Sequence, residues 1–430
     1  MNPFANINIQ ALPGPDDTLR VVLDNGITVL ARPNLESASV VIAGYLQSGS
    51  VFEPDEKAGL AYFTAAALMR GTAHRTFQQI FDSLESSGAS LGFGSSVHTA
   101  SFGGRALAED LPLLLALTAE SLSEPVFPPE YIERLRAQIL TSLAIRAQDT
   151  ADMASLTFEK LLFPGHPYGR PDEGYSETIS AITRQDITAF HQQYYGPRQM
   201  VIVIVGGISP HAAVEQTQKA LGGFTNPNQP APPVLSSVQP LRETTRQHVG
   251  IPGKSQADLV IGSLGPRRNS TDYLAVSLGN NILGQFGLMG RIGDVVREQA
   301  GLAYYASTSL NGWIESGSWE VSAGVNPANL TRAADLIVRE LDRYIKDGVT
   351  AEELQDSQAN FIGRLPLSLE SNNGVANALL NLERFQLGLD YYRRYPDLVT
   401  AITTEQVLEA SRRYLDPQRL IIASAGSQPA

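Results

Sequence analysis

Residues 54–72, PDEKAGLAYFTAAALMRGT, decide how the chain is read. Leu60, Phe63, Ala67 and Leu68 recur at helical spacing, Asp55 can cap the first turn and Gly71 supplies a stop, so the segment is predicted to be a helix. Tyr62, Ala65 and Ala66 then share one face. Alanine offers a metal no lone pair and has no group that moves a proton, so this helix cannot be a zinc site.

Working outward, TLRVVLDNGITVLAR (18–32) reads as a β-hairpin, with apolar residues alternating on either side of Asp24-Asn25-Gly26. SVVIAGYLQSGS (39–50) is a third strand. TFQQIFDSLESSGA (76–89) is a helix with Phe77, Ile80, Phe81 and Leu84 on one face. SSVHTASFGGRAL (95–107) is predicted as a strand, 109–127 as a buried helix ended by Pro125, and a long helix runs from Pro129 to about Ile145.

Two distant segments match: ITRQDITAFHQQYYGPRQMVIVIVGG from Ile182 and ITTEQVLEASRRYLDPQRLIIASAGS from Ile402. Thr183 with Thr403, Pro197 with Pro417 and Gly206 with Gly426 keep one offset (403 − 183 = 220), which points to a duplicated unit. The proline-rich stretch 222–240 between the halves favours an extended linker. In the second half SQADLVIGSLGP is a strand and TDYLAVSLGNNIL a helix. A glycine-rich loop with Gly284, Gly287 and Gly290 follows, then a helix from Arg291 to Glu298 and further strands. A short GLAY repeat at 59–62 and 301–304 has a different offset and different surroundings, and is not taken as a structural equivalence. The fold class is α+β: two homologous domains, 1–221 and 241–430, each a mainly antiparallel sheet covered by helices on one face.

The 430 residues are 43% hydrophobic and 18% charged, which suits a globular protein. A net charge of −12 disfavours nucleic acid and anionic membrane surfaces as partners. No cysteine is present, so disulfides, thiolate nucleophiles and Cys-based zinc sites are excluded. The N-terminal residues lack a basic start followed by an apolar run, and a cytoplasmic location is the default expectation. His74, His98, His166, His191, His211 and His248 include no i,i+4 pair.

The 54–72 segment resembles the signature helix of the pitrilysin (insulinase-like) metallopeptidases, in which two histidines hold zinc and a glutamate between them activates water. Gly59, Leu60, Ala61, Phe63, Leu68, Gly71 and Thr72 keep that frame, whereas the three chemical positions are Tyr62, Ala65 and Ala66. The third ligand's position falls on Ser142, within RAQILTS. The resemblance runs through FPGHPYGRPDEGYSETI (163–179) and implies a bilobed fold that forms half of a peptide-enclosing chamber.

REQAGLAY, Arg297 to Tyr304, resembles the family segment that brings an arginine and a tyrosine to the substrate. Arginine can hydrogen-bond the substrate backbone, and a tyrosine hydroxyl can stabilise an oxyanion. Taken singly, Arg297 is more often a solvated helix-end charge and Tyr304 more often a core aromatic; their shared context, after a glycine-rich loop and before a strand, favours the functional reading for the pair. The loop at Gly284, Gly287 and Gly290 lacks the lysine and Ser/Thr of a phosphate-binding loop, and is either a plain connector or, as the resemblance implies, a substrate-engaging loop of a non-catalytic subunit. Gly92 and Phe93 fall where the family pairs substrate as an added strand. The resemblance thus implies no cofactor in this chain, zinc in a homologous partner that carries His-x-x-Glu-His, and a peptide substrate. The alternative is a non-enzymatic scaffold or core subunit of the same fold.

Overall fold

A computed structural model describes residues 11–287 and 290–428. The first sheet has strands β1 (Leu19–Val22), β2 (Thr28–Pro33), β3 (Ser39–Leu46), β4 (Ser90–Ser95), β5 (Ala100–Leu107) and β6 (Val201–Gly206), in the order β1-β2-β6-β3-β5-β4. The second has β7 (Thr245–Gly250), β8 (Ala257–Gly265), β9 (Ala303–Gly312), β10 (Gly317–Val325) and β11 (Ile421–Gly426), in the order β7-β11-β8-β10-β9. The second order repeats the first without β1. Each sheet is antiparallel except for one parallel pair, and the register Thr28↔Val201 of β2 and β6 recurs as Thr245↔Ile421 of β7 and β11. The sequence repeat is therefore a repeat of topology, and the α+β fold with two similar units holds.

Each sheet has its own helices on one face. In the first, Val29, Ala31, Ile42, Ile202 and Ile204 meet Leu60, Phe63, Leu114 and Ile187. The opposite face is also covered, and the cover comes from the other half. Leu30, Val41, Ala43, Val201, Val203 and Val205 pack against Val375, Ala376, Leu379 and Leu382 of the helix Asn372–Arg384. Reciprocally, Val260, Ile421, Ala423 and Ala425 of the second sheet receive Ala154, Phe158 and Leu162 of the helix Thr150–Leu162. Burying a large apolar side chain is worth about 1.5–3 kcal/mol, so these two contacts are core and not a loose interface.

Polar contacts fix the exchange. The Thr150 hydroxyl donates to Asp258, which is buried, and Tyr305 Oη donates to the same carboxylate at 2.7 Å. Arg20 forms a two-pronged pair with Glu383 at 2.6 and 3.0 Å. The FPGHPYGRP segment joins two hairpin tips: Tyr168 Oη accepts from Glu315 N at 3.1 Å and lies 2.7 Å from His98 Nε2. Burial holds His98 down at about 4, so the ring is neutral. Trp313 packs against this tyrosine, ring centres 4.9 Å apart, and against Phe163 at 5.6 Å.

Two sequence expectations change. The predicted strand 95–107 is a hairpin turn, closed by Ser96 N donating to Thr99 O at 2.9 Å, followed by β5. Asp55 does not cap the signature helix. That helix spans Leu60–Ala67, its N-cap is Gly59 at φ 94°, and its free N–H groups at Gly59 and Ala61 are taken by the buried Glu53 carboxylate at 2.9 and 2.8 Å. Asp55 sits in a 3₁₀ turn with its side chain turned out to solvent and pairs with Arg170 instead. A side chain at Gly59 would also collide with the Glu173 carbonyl, so both the backbone angle and the space require glycine. One 3₁₀ turn, Leu68–Arg70, and Gly71 at φ 139° end the element, as its sequence indicates.

Burial raises the Glu53 carboxyl from its ordinary 4.5 to about 7, against the pull of its two backbone donors and Arg170. The folded chain thus keeps a proton there that the unfolded chain releases, and the stability this group contributes falls as pH rises through that window. Glu53→Ala strands two buried N–H groups and is expected to cost about 2 kcal/mol in urea unfolding, with a larger deficit at pH 5 than at pH 8. Residues 222–240 carry no helix or strand and Val234 is fully exposed. Because the halves share their cores, a chain cut at Val234 is expected to run as one particle in size-exclusion chromatography and to unfold in one step. Residues 1–221 expressed alone are expected to aggregate.

Candidate functional site

The signature helix packs beneath β4 and against the helix Pro129–Arg146, which brings the family's three ligand positions and its general-base position to neighbouring elements. At those positions stand Tyr62, half-buried; Ala65, buried; Ala66, partly buried; and Ser142, exposed. Burial, and after it the nearby Glu173, pushes the Tyr62 phenol above its usual value, so it stays protonated. Two methyl groups, a neutral phenol and a surface hydroxyl do not fit a zinc ion, which wants imidazole, thiolate or carboxylate donors. Among the described residues no group of three or more His, Cys, Asp or Glu is placed to hold a metal. Nor is any helix among them long and apolar enough to cross a membrane.

β4 is the outer strand of the first sheet, with one edge unpaired among the described residues. Gly92 on it is exposed and a side chain there would meet nothing, while Phe93 is half-buried and packs toward Phe102 at 6.2 Å. The edge has the free backbone groups that strand addition uses.

In the second half β9 occupies the same outer position. The predicted helix from Arg291 is a short helical turn, Gly290–Gly293, continued by a π-helical turn, Asp294–Gln299. Such turns are rare and often mark functional positions. Arg297 lies in it, partly exposed, with Nε 3.5 Å from Glu298. Tyr304 follows on β9, where the pairing with β10 slips: Ala303 faces Val325 and Tyr305 faces Gly324, so Tyr304 is the extra residue of a β-bulge. Its side chain is 68% exposed, while its neighbour Tyr305 is tied to Asp258. The GLAY repeat is confirmed as a coincidence of letters, since it opens a helix at 59–62 and leads into a strand at 301–304.

The glycines of the preceding loop divide by role. Gly284 ends the helix Tyr273–Gly284, buried, where a side chain would strike Thr308 of β9. Gly290 at φ 61° leaves no room for a side chain beside the Gly284 nitrogen and the Ile282 carbonyl. These two are demanded by close packing. Gly287 at φ 62° is exposed and open on all sides; Leu288 and Met289 lie outside the described residues. The Arg291 guanidinium holds Glu353 at 2.7 and 2.6 Å and fastens the turn to the helix Ala351–Ser368. A cavity of about 360 Å³ opens between them.

The sequence carries no signal for the bulge at Tyr304 or for Glu53 as a helix cap. It does carry one for the Tyr168 clamp, the compact FPGHPYGRP string.

Comparison with known proteins agrees with this architecture. The family profile "Insulinase (Peptidase family M16)" matches residues 28–165, and "Peptidase M16 inactive domain" matches 181–361. An uncharacterized zinc protease of Mycobacterium leprae is 28% identical over 404 residues, covering 92% of this chain and 89% of that one. Bovine mitochondrial cytochrome b-c1 complex subunit 1 is 28% identical over 283 residues, 64% of this chain and 57% of that protein. Among solved structures, a peptidase M16 inactive domain from Pseudomonas fluorescens superposes with a TM-score of 0.89 at 26% identity, covering 96% and 98% of the two chains. The chain belongs to the M16 (insulinase) peptidase family, as a member of inactive type whose signature helix lacks the metal ligands.

Proposed function

We propose that this chain is the non-catalytic subunit of a heteromeric zinc endopeptidase, closing a peptide chamber with a homologous partner that carries an intact His-x-x-Glu-His helix. The observation that carries the reading is the contrast between two sites. The metal positions hold groups that cannot bind zinc, yet Tyr304 stands exposed on an edge-strand bulge, a few residues beyond Arg297 on its π-helical turn. The partner supplies metal and general base. In this chain Arg297 hydrogen-bonds the peptide backbone and Tyr304 donates to the oxygen that becomes negative as the scissile carbonyl turns tetrahedral. The 284–290 loop, through Gly287, and the free edge of β4 at Gly92 and Phe93 contact the bound peptide.

The bovine relative favours a second reading, a scaffold or core subunit of a larger assembly with no part in hydrolysis. One experiment separates them. The purified chain is mixed with the His-x-x-Glu-His homologue and cleavage of an internally quenched peptide is followed. Rate should appear only in the mixture, and Tyr304→Phe in this chain should lower it roughly 100-fold, the loss typical of one oxyanion donor. An unchanged rate with that variant removes the in-trans role. A partner fully active alone favours the scaffold.

A further inference from the structure

A cavity of about 260 Å³ lies where the two halves meet, apart from Arg297 and Tyr304. It is bounded by the β4–β5 turn at His98, by Tyr168, by Trp313 of the β9–β10 turn, and by the two exchanged helices, which contribute Glu159 and Arg384. Asp172 and Glu173 complete its acidic side. The volume is several times the roughly 30 Å³ of a liquid water molecule and below the ~300–1,000 Å³ of drug-sized pockets.

The charges lining it are of both signs and leave one another unpaired. Arg384 is largely buried, stacked 5.8 Å from the Tyr45 and Phe385 ring centres. Its Nε is buried with no hydrogen-bond partner among the described residues, and its one side-chain bond is a long 3.5 Å contact to Thr99. The groups that feel its charge are Tyr45, Tyr168 and His98, none of them an acid that neutralises it. The Glu159 carboxyl has no hydrogen-bond partner among the described residues. Its burial, and after it the nearby Glu320, Asp172 and Glu173, hold it up at about 7, with no cation acting on it. Arg170, which does act on Asp172, is itself held by Asp55 and the Ser50 carbonyl. Glu173 pairs with Arg146 at 2.9 Å, its side chain still half-open to solvent at the rim. Burying a cation and an anion apart, each without a counter-charge, is costly; a ligand that brings the missing charges relieves both.

We propose that this cavity binds a small zwitterion, a free amino acid or dipeptide, with its carboxylate on Arg384, its ammonium on Glu159 and Asp172, and its side chain against Trp313 and Tyr168. The isolated chain suffices for the test, because occupancy needs no protease partner, and failure here leaves the role of Tyr304 untouched. Of the two tryptophans Trp319 is sealed in the second core and bonded to Asn280, so a change in intrinsic fluorescence reports on Trp313. The chain is titrated by fluorescence and calorimetry with L-leucine and the dipeptide Ala-Leu, beside N-acetyl-leucine, which lacks the ammonium, and leucinamide, which lacks the carboxylate. Saturable binding of at least one zwitterion is expected, with both blocked analogues at least about tenfold weaker. Arg384→Gln and Glu159→Gln should each weaken the zwitterion by a similar factor. No heat or fluorescence change with either zwitterion up to about 10 mM, or equal binding of the blocked analogues to the wild-type chain, overturns the proposal.

Discussion

The structure depends on an exchange of helices between its halves. A sheet of this kind presents two faces, and local helices cover only one. The remaining face of the first sheet, with Leu30, Val41, Val203 and Val205, would be a large apolar patch if left open. It is closed by Asn372–Arg384, and the second sheet is closed in turn by Thr150–Leu162. Each half therefore supplies part of the other's core, and the angle between the sheets is set by close packing, which tolerates little drift. The polar links at Asp258 and Tyr168 add direction to a contact whose strength is hydrophobic.

That constraint also explains what was legible in the sequence. Elements whose signal is local stand out: the hairpin around Asn25 and Gly26, the signature helix with its Gly71 stop, and the repeated helix-turn-strand at Ile182 and Ile402. The repeat was readable because the same topology imposes the same pattern twice. The exchange was not. Helical periodicity reveals that Val375, Leu379 and Leu382 share a face, but not that the face lies on a sheet from the other half of the chain. A trace of it exists in VIVIV of β6, since a strand apolar at every position must be covered on both sides.

The candidate site was legible in its residue types and opaque in its geometry. Losses at Tyr62, Ala65, Ala66 and Ser142 can be judged from chemistry alone, because no placement makes a methyl group a ligand. The placement of Tyr304 cannot be judged that way. Tyr304 and Tyr305 are adjacent and chemically alike, and strict alternation would set one toward each face of the sheet. Nothing in the letters says that the ladder slips there, or which of the two becomes the extra residue. Glu53 is hidden from a local reading for a related reason: it caps its helix from the far end of a turn, outside the few residues that local capping rules cover.

The bulge and the exchange are parts of one arrangement. Tyr305 is held by Asp258, and Asp258 also receives Thr150, the first residue of the helix that crosses from the first half. The residue beside Tyr304 is thus hydrogen-bonded through one buried carboxylate to the element that covers the second sheet. An edge strand bearing an exposed tyrosine would ordinarily be free to fray, since only one side is paired. Here its start is anchored on the inside by Tyr305, and the slip in register turns that anchorage outward into a fixed position for Tyr304. A hydroxyl that must meet a charge developing on a substrate gains most when its position is set before the substrate arrives. In the role proposed for Tyr304, the buried Asp258 would serve that positioning through Tyr305 without touching the substrate, as well as serving the core.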